Sequence, residues 1–358
     1  MKKILLTGLV VLVMSLAGSM GYSQDTTTAV PSSQTAAENT SAARRKNQDA
    51  KWQYSFSFAG KKVSGYTEYH INYPIIYYAY PGEGHSVLAY PIDGKYIEVT
   101  GIVTPGFTKK SNLVFELACG KTITTPKEAM VDSDYIYISY FAPPTWVYSA
   151  TKSDVKYSDY DLSFMAGFHM LLNKQLKMTP VVGYQSSHKG FDVIGLSGWW
   201  EYYYMDKIVI ESEDYAGMKV ATYEVDFQQI STGLILETLP NKGLSFYFKG
   251  LYYPYVKAKD HDDHILRLKE SNTEASGKGY LIDGRIKIQA HKFSSGSELS
   301  WGGGYSLLRI TATGHQIQRY YADSPDFTYD ETGIESDPID NTLKLKQNSF
   351  IAFIEYKI

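Results

Sequence analysis

The stretch Leu162–Leu171, with the sequence LSFMAGFHML, alternates large apolar side chains with smaller or more polar ones. In an extended strand successive side chains point to opposite faces. One face of this segment would therefore consist of apolar side chains only: Leu162, Phe164, Ala166, Phe168 and Met170. The stretch predicts a β-strand with one face suited to lipid.

The same period of two recurs along the chain. It is present at Trp52–Phe58, at Ile286–Ala290 and at Phe350–Ile358. The last of these segments ends at the final residue. It resembles the terminal strand that the outer-membrane assembly machinery reads, with Ile358 in place of the usual Phe.

Connections between the predicted strands differ in length. Short turns are expected at 173–175, 240–243 and 294–297, and long polar loops at roughly 125–155, 186–218, 260–278 and 311–343. Short turns on one rim and long loops on the other are typical of a transmembrane β-barrel. We therefore predict an all-β protein, a transmembrane antiparallel barrel of about ten strands with long extracellular loops. A soluble all-β sandwich shares the alternation and is the alternative fold.

The N-terminal residues predict export. Lys2 and Lys3 precede the apolar run Ile4–Ala17, and small residues suit a cleavage site after Ser23. Residues 24–51 are rich in Thr, Ser and Ala, which predicts a disordered leader, with a surface or peptidoglycan tether as the alternative. The domains expected are a signal peptide at 1–23, the leader at 24–51 and the barrel at 52–358, located in the cell outer membrane.

Composition excludes several classes of partner and site. The 35 basic and 38 acidic residues are nearly balanced, so no nucleic-acid partner is implied. The single cysteine, Cys119, excludes an intramolecular disulfide and a cysteine-based metal site. We interpret Cys119 as a small packing residue on a strand.

Two short clusters carry the residue types of hydrolytic chemistry. Asp260–His264, with the sequence DHDDH, would place Asp260, Asp262 and His264 on one face of an extended backbone. Asp132-Ser133-Asp134, expected in another loop, has the same period of two. If the fold brings the clusters together, an Asp/His pair faces an Asp/Asp pair, an arrangement able to activate water. A hydrated surface turn and a Ca²⁺ or Zn²⁺ loop are the alternatives.

These residues resemble those of the omptins, a family of ten-stranded outer-membrane endopeptidases. Met130–Tyr135 is similar to the family's Met-Val-Asp-x-Asp-Trp, with Tyr in place of Trp, and Asp260–His264 is similar to its Asp-x-Asp-x-His. Weaker similarity covers three further segments: Val63–Thr67, Phe164–Phe168 and Val182–Tyr184.

The resemblance implies an aspartic-type endopeptidase whose catalytic residues are Asp132, Asp134, Asp262 and His264. A water molecule would be the nucleophile, with His264 taking its proton while Asp262 holds the other ring nitrogen. Because neighbouring carboxylates repel, one Asp of the Asp132/Asp134 pair should have a raised pKa. No metal and no organic cofactor are expected.

The resemblance also implies peptide or protein substrates cleaved next to basic residues. One acidic residue of the substrate pocket matches Asp260, and the other should fall near Tyr69, where the family has Glu. Glu68 is one position away and faces the opposite side unless a local bulge turns it inward. We expect a basic preference that is retained but altered. A requirement for lipopolysaccharide on outer-wall basic residues is also implied, at positions the sequence does not give.

A second function remains open at this point. A barrel that keeps these residues without cutting would be an adhesin or a surface receptor. His261 and Asp263 should point away from the catalytic face. Trp199 and Trp200 are expected at the rim as interfacial aromatics or as the lining of a peptide groove.

Overall fold

The computed structural model describes residues 52–77, 80–105, 112–138, 145–204, 207–239, 243–322 and 332–358. All of them belong to one structural unit, Ala50–Ile358. The expected signal peptide and leader lie outside the described residues, as does most of the turn at 240–243.

The described residues form fourteen strands and one short helical turn, Ile265–Arg267. The strands are β1 (Gln53–Tyr77), β2 (Tyr80–Pro91), β3 (Gly94–Thr104), β4 (Leu113–Thr122), β5 (Met130–Ile138), β6 (Thr145–Phe168), β7 (Met170–Leu171), β8 (Leu176–Tyr204), β9 (Lys207–Asp214), β10 (Lys219–Thr238), β11 (Leu244–His264), β12 (Lys269–Lys292), β13 (Glu298–Tyr320) and β14 (Ile339–Lys357). Within this part of the chain, no helix is long and apolar enough to cross a membrane.

Antiparallel pairing closes the strands into a ring. β1 pairs with β14 on one side and with both β3 and β2 on the other, while β6 pairs with β8 to complete the circuit. β2 and β3 together form one strand of the barrel, and so do β4 and β5. β7 and β9 pair only with β8 and are not counted as separate members of the ring. Counted this way, the described strands make a ring of ten, which confirms the predicted all-β antiparallel barrel.

A belt of exposed apolar side chains surrounds one part of the barrel. Leu162 is 40% exposed and Phe164 is 47% exposed, whereas the next residue of the same strand, Met165, is only 5% exposed. The predicted outward face is therefore confirmed as far as Phe168, where β6 ends, whereas Leu171, expected on the opposite face, is 69% exposed. Further members of the belt come from strands all around the ring: Phe58, Val182, Ile230, Phe246, Phe248, Ile282, Ile286, Trp301, Phe350 and Ile354.

The segments expected to be long polar loops are mostly strand. β5 and the start of β6 occupy much of 125–155, and β8 and β9 occupy most of 186–218. Polar side chains on both faces suggested loops, but neighbouring strands satisfy the backbone groups there, so the ladder continues past the apolar belt. As a result Asp132 and Asp134 lie on a strand rather than in a loop.

Charged pairs occupy the barrel interior at the level of the belt. Lys249 donates to Glu116 at 3.2 Å, and Arg285 donates to Asp283 at 2.6 Å. These groups line a cavity of about 150 Å³. Since a buried charge is costly unless it is paired, the pairing explains how a membrane-level interior tolerates these side chains.

Four buried aromatic rings lie between this interior and the rim. Tyr90 stacks on Tyr223 with ring centroids 4.3 Å apart, and Phe191 lies 5.1 Å from Tyr90. Tyr69 completes the group at 5.5 Å from Tyr223. We refer to Tyr69, Tyr90, Phe191 and Tyr223 as the aromatic floor, because Asp262 and His264 stand above it at the end of β11.

Candidate active site

Asp262 and His264 form a bonded pair at the end of β11. The distance from His264 Nε2 to Asp262 Oδ2 is 3.1 Å, and Tyr69 Oη also donates to Asp262 Oδ2. Burial by itself would raise the pKa of Asp262, which is 0% exposed, but the imidazole of His264 and the hydrogen bond from Tyr69 hold it below its ordinary value. The carboxylate therefore stays ionised, and Nδ1 is left as the ring nitrogen able to accept a proton.

Asp134 is held by two hydroxyl groups from neighbouring strands. Ser86 of β2 and Ser149 of β6 both donate to its carboxylate, the latter at 2.5 Å. Both serines lie directly opposite Asp134 in the strand register. Two donors on fixed backbones leave the carboxylate little freedom to rotate.

Asp132 lies in a different environment from Asp134. Its Oδ1 is buried and accepts no hydrogen bond from the described residues. Burial, and then repulsion by the neighbouring charge of Asp134, raise the pKa of Asp132 well above its ordinary value. The pair thus combines a carboxyl that favours its protonated form with one whose orientation is fixed.

Strand register brings the two clusters to the same end of the lumen. Asp132 on β5 lies opposite Leu88 on β2, which in turn lies opposite Tyr69 on β1. Tyr69 then reaches Asp262 across the lumen. The structure therefore places all four predicted catalytic residues at the same end of the lumen, and the negative charge of Asp262 contributes to the raised pKa of Asp132.

Asp260 lies one inward-facing position deeper on β11 than Asp262 and is only 5% exposed. Tyr223 Oη donates to its Oδ2 at 3.4 Å, whereas Oδ1 has no hydrogen-bond partner among the described residues. Burial raises the pKa of Asp260 to about 7, against the effect of a hydrogen bond from Thr273. A buried acid with an open acceptor atom is suited to receive a donor from a ligand.

Glu68 lies on the outer wall of the barrel, away from this site. It accepts hydrogen bonds from Lys346 at 3.1 Å and lies 3.3 Å from His70 Nε2, and these contacts, that of His70 first, lower its pKa to about 2. The pairing of β1 with β14 runs without a bulge through this position. Of the two alternatives, the local bulge that would turn Glu68 inward is absent, so Glu68 as a candidate substrate-binding residue is corrected and Tyr69 holds the inward position.

The remaining residues of the DHDDH segment face outward. His261 Nδ1 lies 2.9 Å from Asn272 Oδ1, and Asp263 accepts a hydrogen bond from Tyr321 at 3.0 Å. The backbone of Trp199 pairs with Ala150. The side chain of Trp200 lies outside the described part of the structure.

Several residues of the site have no recognisable signal in the sequence. Ser86 and Ser149 reach it because β2 and β6 pair with β5, and Lys269 reaches it because it lies opposite His264 in the β11–β12 hairpin. A pattern search could have found only Lys269, as an isolated Lys at the inward parity of β12. Among the described residues, no three His, Cys, Asp or Glu side chains converge as a set of metal ligands.

Fold and site together define a class of protein, a β-barrel with an apolar outer belt and a carboxylate and imidazole site at one rim. The sequence model of the Omptin family matches residues 100–342, more than half of the chain. The chain therefore belongs to the Omptin family and is an outer-membrane protease.

A solved structure agrees on the fold. The outer membrane protease OmpT from Escherichia coli aligns with a TM-score of 0.63 at 13% identity, covering 86% of this chain and 97% of that one. The translocator domain of the autotransporter NalP from Neisseria meningitidis aligns with a TM-score of only 0.27 at 7% identity, covering 88% and 92%. A comparison with curated proteins finds no match.

Proposed function

We propose that the chain is an endopeptidase in which water, activated by the Asp262/His264 dyad opposite Asp132 and Asp134, attacks the peptide carbonyl. The observation that carries this proposal is the hydrogen bond from Tyr69 to Asp262, because it joins the dyad to β1, which is linked to Asp132 through Leu88 of β2. General acid–base catalysis requires the base to be oriented and its partner ionised. The contact of His264 with Asp262 supports the first requirement, and the lowered pKa of Asp262 supports the second.

In the first step, Nδ1 of His264 takes a proton from water while the water oxygen bonds to the carbonyl carbon. The carbonyl π electrons move to oxygen and form an oxyanion. Asp262 stabilises the imidazolium through its hydrogen bond to Nε2. Collapse of the intermediate restores the carbonyl, breaks the C–N bond and returns the proton from His264 to the leaving amine.

Asp132 and Asp134 have complementary parts in this scheme. A protonated Asp132 donates a hydrogen bond, while Asp134, fixed by Ser86 and Ser149, accepts one. A water molecule held between a donor and an acceptor has its lone pair oriented for attack. The raised pKa of Asp132 supports this division of roles.

For the substrate, we propose a basic preference that is retained but altered. Asp260 supplies one buried carboxyl, and the rings of Tyr69 and Tyr223 provide aromatic faces beside it. A guanidinium or ammonium group can be bound by one carboxylate together with aromatic rings. With Tyr69 in place of a second acid, the preference for Arg and Lys should be weaker than in a pocket with two carboxylates.

We also propose that lipopolysaccharide supports activity by binding basic groups on the outer wall. Lys344 and Lys346 lie there on β14, above the apolar belt, with His70 beside them on β1. Ammonium groups at this level are suited to anionic headgroups. Stimulation of the wild type by lipopolysaccharide, and its loss in a Lys344→Ala/Lys346→Ala double variant, would support this assignment.

The proposed activity is tested by peptide cleavage with the folded barrel in lipopolysaccharide-containing detergent. The library carries Arg, Lys and neutral residues at P1, and His264→Ala and Asp132→Ala serve as inactive variants. Cleavage by the wild type that is lost in both variants supports the proposal. Absence of any cleavage, in a barrel shown to be folded by heat-modifiable gel mobility, would favour an adhesin or a surface receptor instead.

A further inference from the structure

Lys269 is a buried lysine beside the dyad. It is the first residue of β12 and lies directly opposite His264 in the β11–β12 register, so both side chains are on the inward face. It is 9% exposed, and its ammonium donates a hydrogen bond to Gln318 Oε1 at 3.0 Å. An isolated buried ammonium is costly, and a lysine in this position therefore calls for an explanation.

The groups that face Lys269 come from every neighbouring element. Asp262 and His264 lie on β11, Tyr320 lies opposite on β13, and Arg267 lies on the connecting turn. Across the lumen, β5 contributes a further pair of carboxylates, Asp132 and Asp134. Within the described residues, none of these carboxylates is within the 4 Å of an ion pair with the amine. The Lys269 ammonium thus lies among negative charges without being neutralised by direct contact.

We propose that Lys269 is a further catalytic residue, whose ammonium stabilises the oxyanion formed when water attacks the peptide carbonyl. This inference rests on the proposed function. The carboxylates of Asp262 and Asp134 lie at the reaction site and would repel an oxyanion, so a positive charge is needed where negative charge develops. Arg267 is exposed, so solvent screens its charge, whereas Lys269 is buried and solvent screens its charge much less.

The protonation of Lys269 gives this role a distinctive pH dependence. Burial, and then the charge of Arg267, lower the pKa of Lys269 to about 8, while the carboxylates of Asp262, Asp134 and Asp132 act in the opposite direction. Only the ammonium form stabilises an oxyanion. The value of kcat should therefore fall as pH rises through about 8.

The test compares Lys269→Met and Lys269→Arg with the wild type, using kcat and KM measured separately across the pH range. Lys269→Met should lower kcat by about 100-fold with little change in KM, as for the loss of one oxyanion donor. Lys269→Arg should retain part of the activity and move the alkaline fall of kcat to higher pH, because guanidinium keeps its proton. Lys257→Met, an exposed outward lysine of the same hairpin, is the matched control.

The outcomes separate the two proposals. A wild type that cleaves while Lys269→Met cleaves equally well overturns the role of Lys269 alone. The role of Lys269 is also overturned if kcat of Lys269→Arg falls at the same alkaline pH as kcat of the wild type. This second test applies even when Lys269→Met folds poorly. A wild type that cleaves no peptide overturns the proposed function and this inference with it.

Discussion

At the scale of single residues, the site depends on how differently two adjacent carboxyls are surrounded. Asp134 receives two hydroxyl hydrogen bonds, whereas Asp132 has a buried oxygen without a partner among the described residues. Burying a carboxyl in this way opposes folding, since water would solvate it in the unfolded chain. The unfavourable free energy of burying Asp132 is consistent with the proposed chemistry, which uses its raised pKa.

We therefore expect Asp132→Asn to stabilise the barrel while it lowers kcat by about 100-fold. The gain should be about 1 kcal/mol at neutral pH. A carboxyl whose pKa is raised in the folded state contributes stability at low pH that is lost as pH rises toward the raised value, so the advantage of the variant should grow with pH. Urea unfolding of the variant and the wild type at several pH values measures this difference in unfolding free energy.

The matched comparison is Asp134→Asn, which disturbs two existing hydrogen bonds and should destabilise the barrel. Equal effects of the two substitutions on unfolding would contradict the assignment of different environments to Asp132 and Asp134.

Tyr69 is expected to support catalysis through Asp262 rather than by touching water. Tyr69→Phe removes the hydrogen bond that helps to hold the pKa of Asp262 down, so that pKa should rise. The acid side of the kcat profile should then move to higher pH, and kcat should fall about tenfold. Tyr90→Phe alters the same aromatic floor without touching Asp262 and serves as the control; an identical pH profile in both variants would refute the role.

At the scale of elements, the parity of β1 decides which acidic side chain the substrate can reach. The register with β14 is continuous from Ser55 to Asn72, so Tyr69 faces the lumen and Glu68 faces outward. A shift of one residue would exchange them. The ion pair of Glu68 with Lys346 adds to the cost of that exchange, since it would be broken.

The corresponding prediction compares two acids. Glu68→Ala should leave kcat/KM for substrates with Arg at P1 within about twofold of the wild type, as expected for a surface change. Asp260→Asn should lower it by about tenfold while kcat/KM for neutral P1 residues changes less. A larger effect of Glu68→Ala than of Asp260→Asn on the Arg substrates would show that the pocket is built differently.

At the scale of the whole molecule, the barrel separates an apolar belt from a polar rim. Ile354 is 57% exposed and lies between Phe58 and Trp301 in the register, both of them exposed as well. Apolar surface of this extent is unfavourable in water and favourable in lipid. Because the chain belongs to an outer-membrane family, membrane lipid surrounds the belt. The strands beyond the belt hold the site outside the bilayer.

Substitutions on the lipid-facing side should therefore depend on depth. Ile354→Arg should destabilise the folded barrel in lipid vesicles by about 2–4 kcal/mol, whereas Asp340→Arg, beyond the belt on the same strand, should cost about 0–1 kcal/mol. Unfolding titrations in vesicles measure both. A neutral or stabilising Ile354→Arg would mean that this face is exposed to water.

The sequence by itself determined the barrel class, the outward face of Leu162–Phe168 and the two clusters of predicted catalytic residue types. These features are local, because a period of two fixes the face of each side chain within a strand. The length of the strands was not determined in this way, since polar segments such as 125–155 have the composition of loops and become strands only when neighbours complete the ladder.

The tertiary structure alone decided which groups support the dyad. Tyr69 and Asp262 are 193 residues apart in the chain, and Ser86 and Ser149 reach Asp134 from two different strands. The register of the ring also placed Lys269 beside His264 and kept Glu68 outside. Apart from the position of Lys269, which pairs with His264 within one hairpin, these contacts depend on pairing between distant segments, and the free energy of that pairing is distributed over the whole ring.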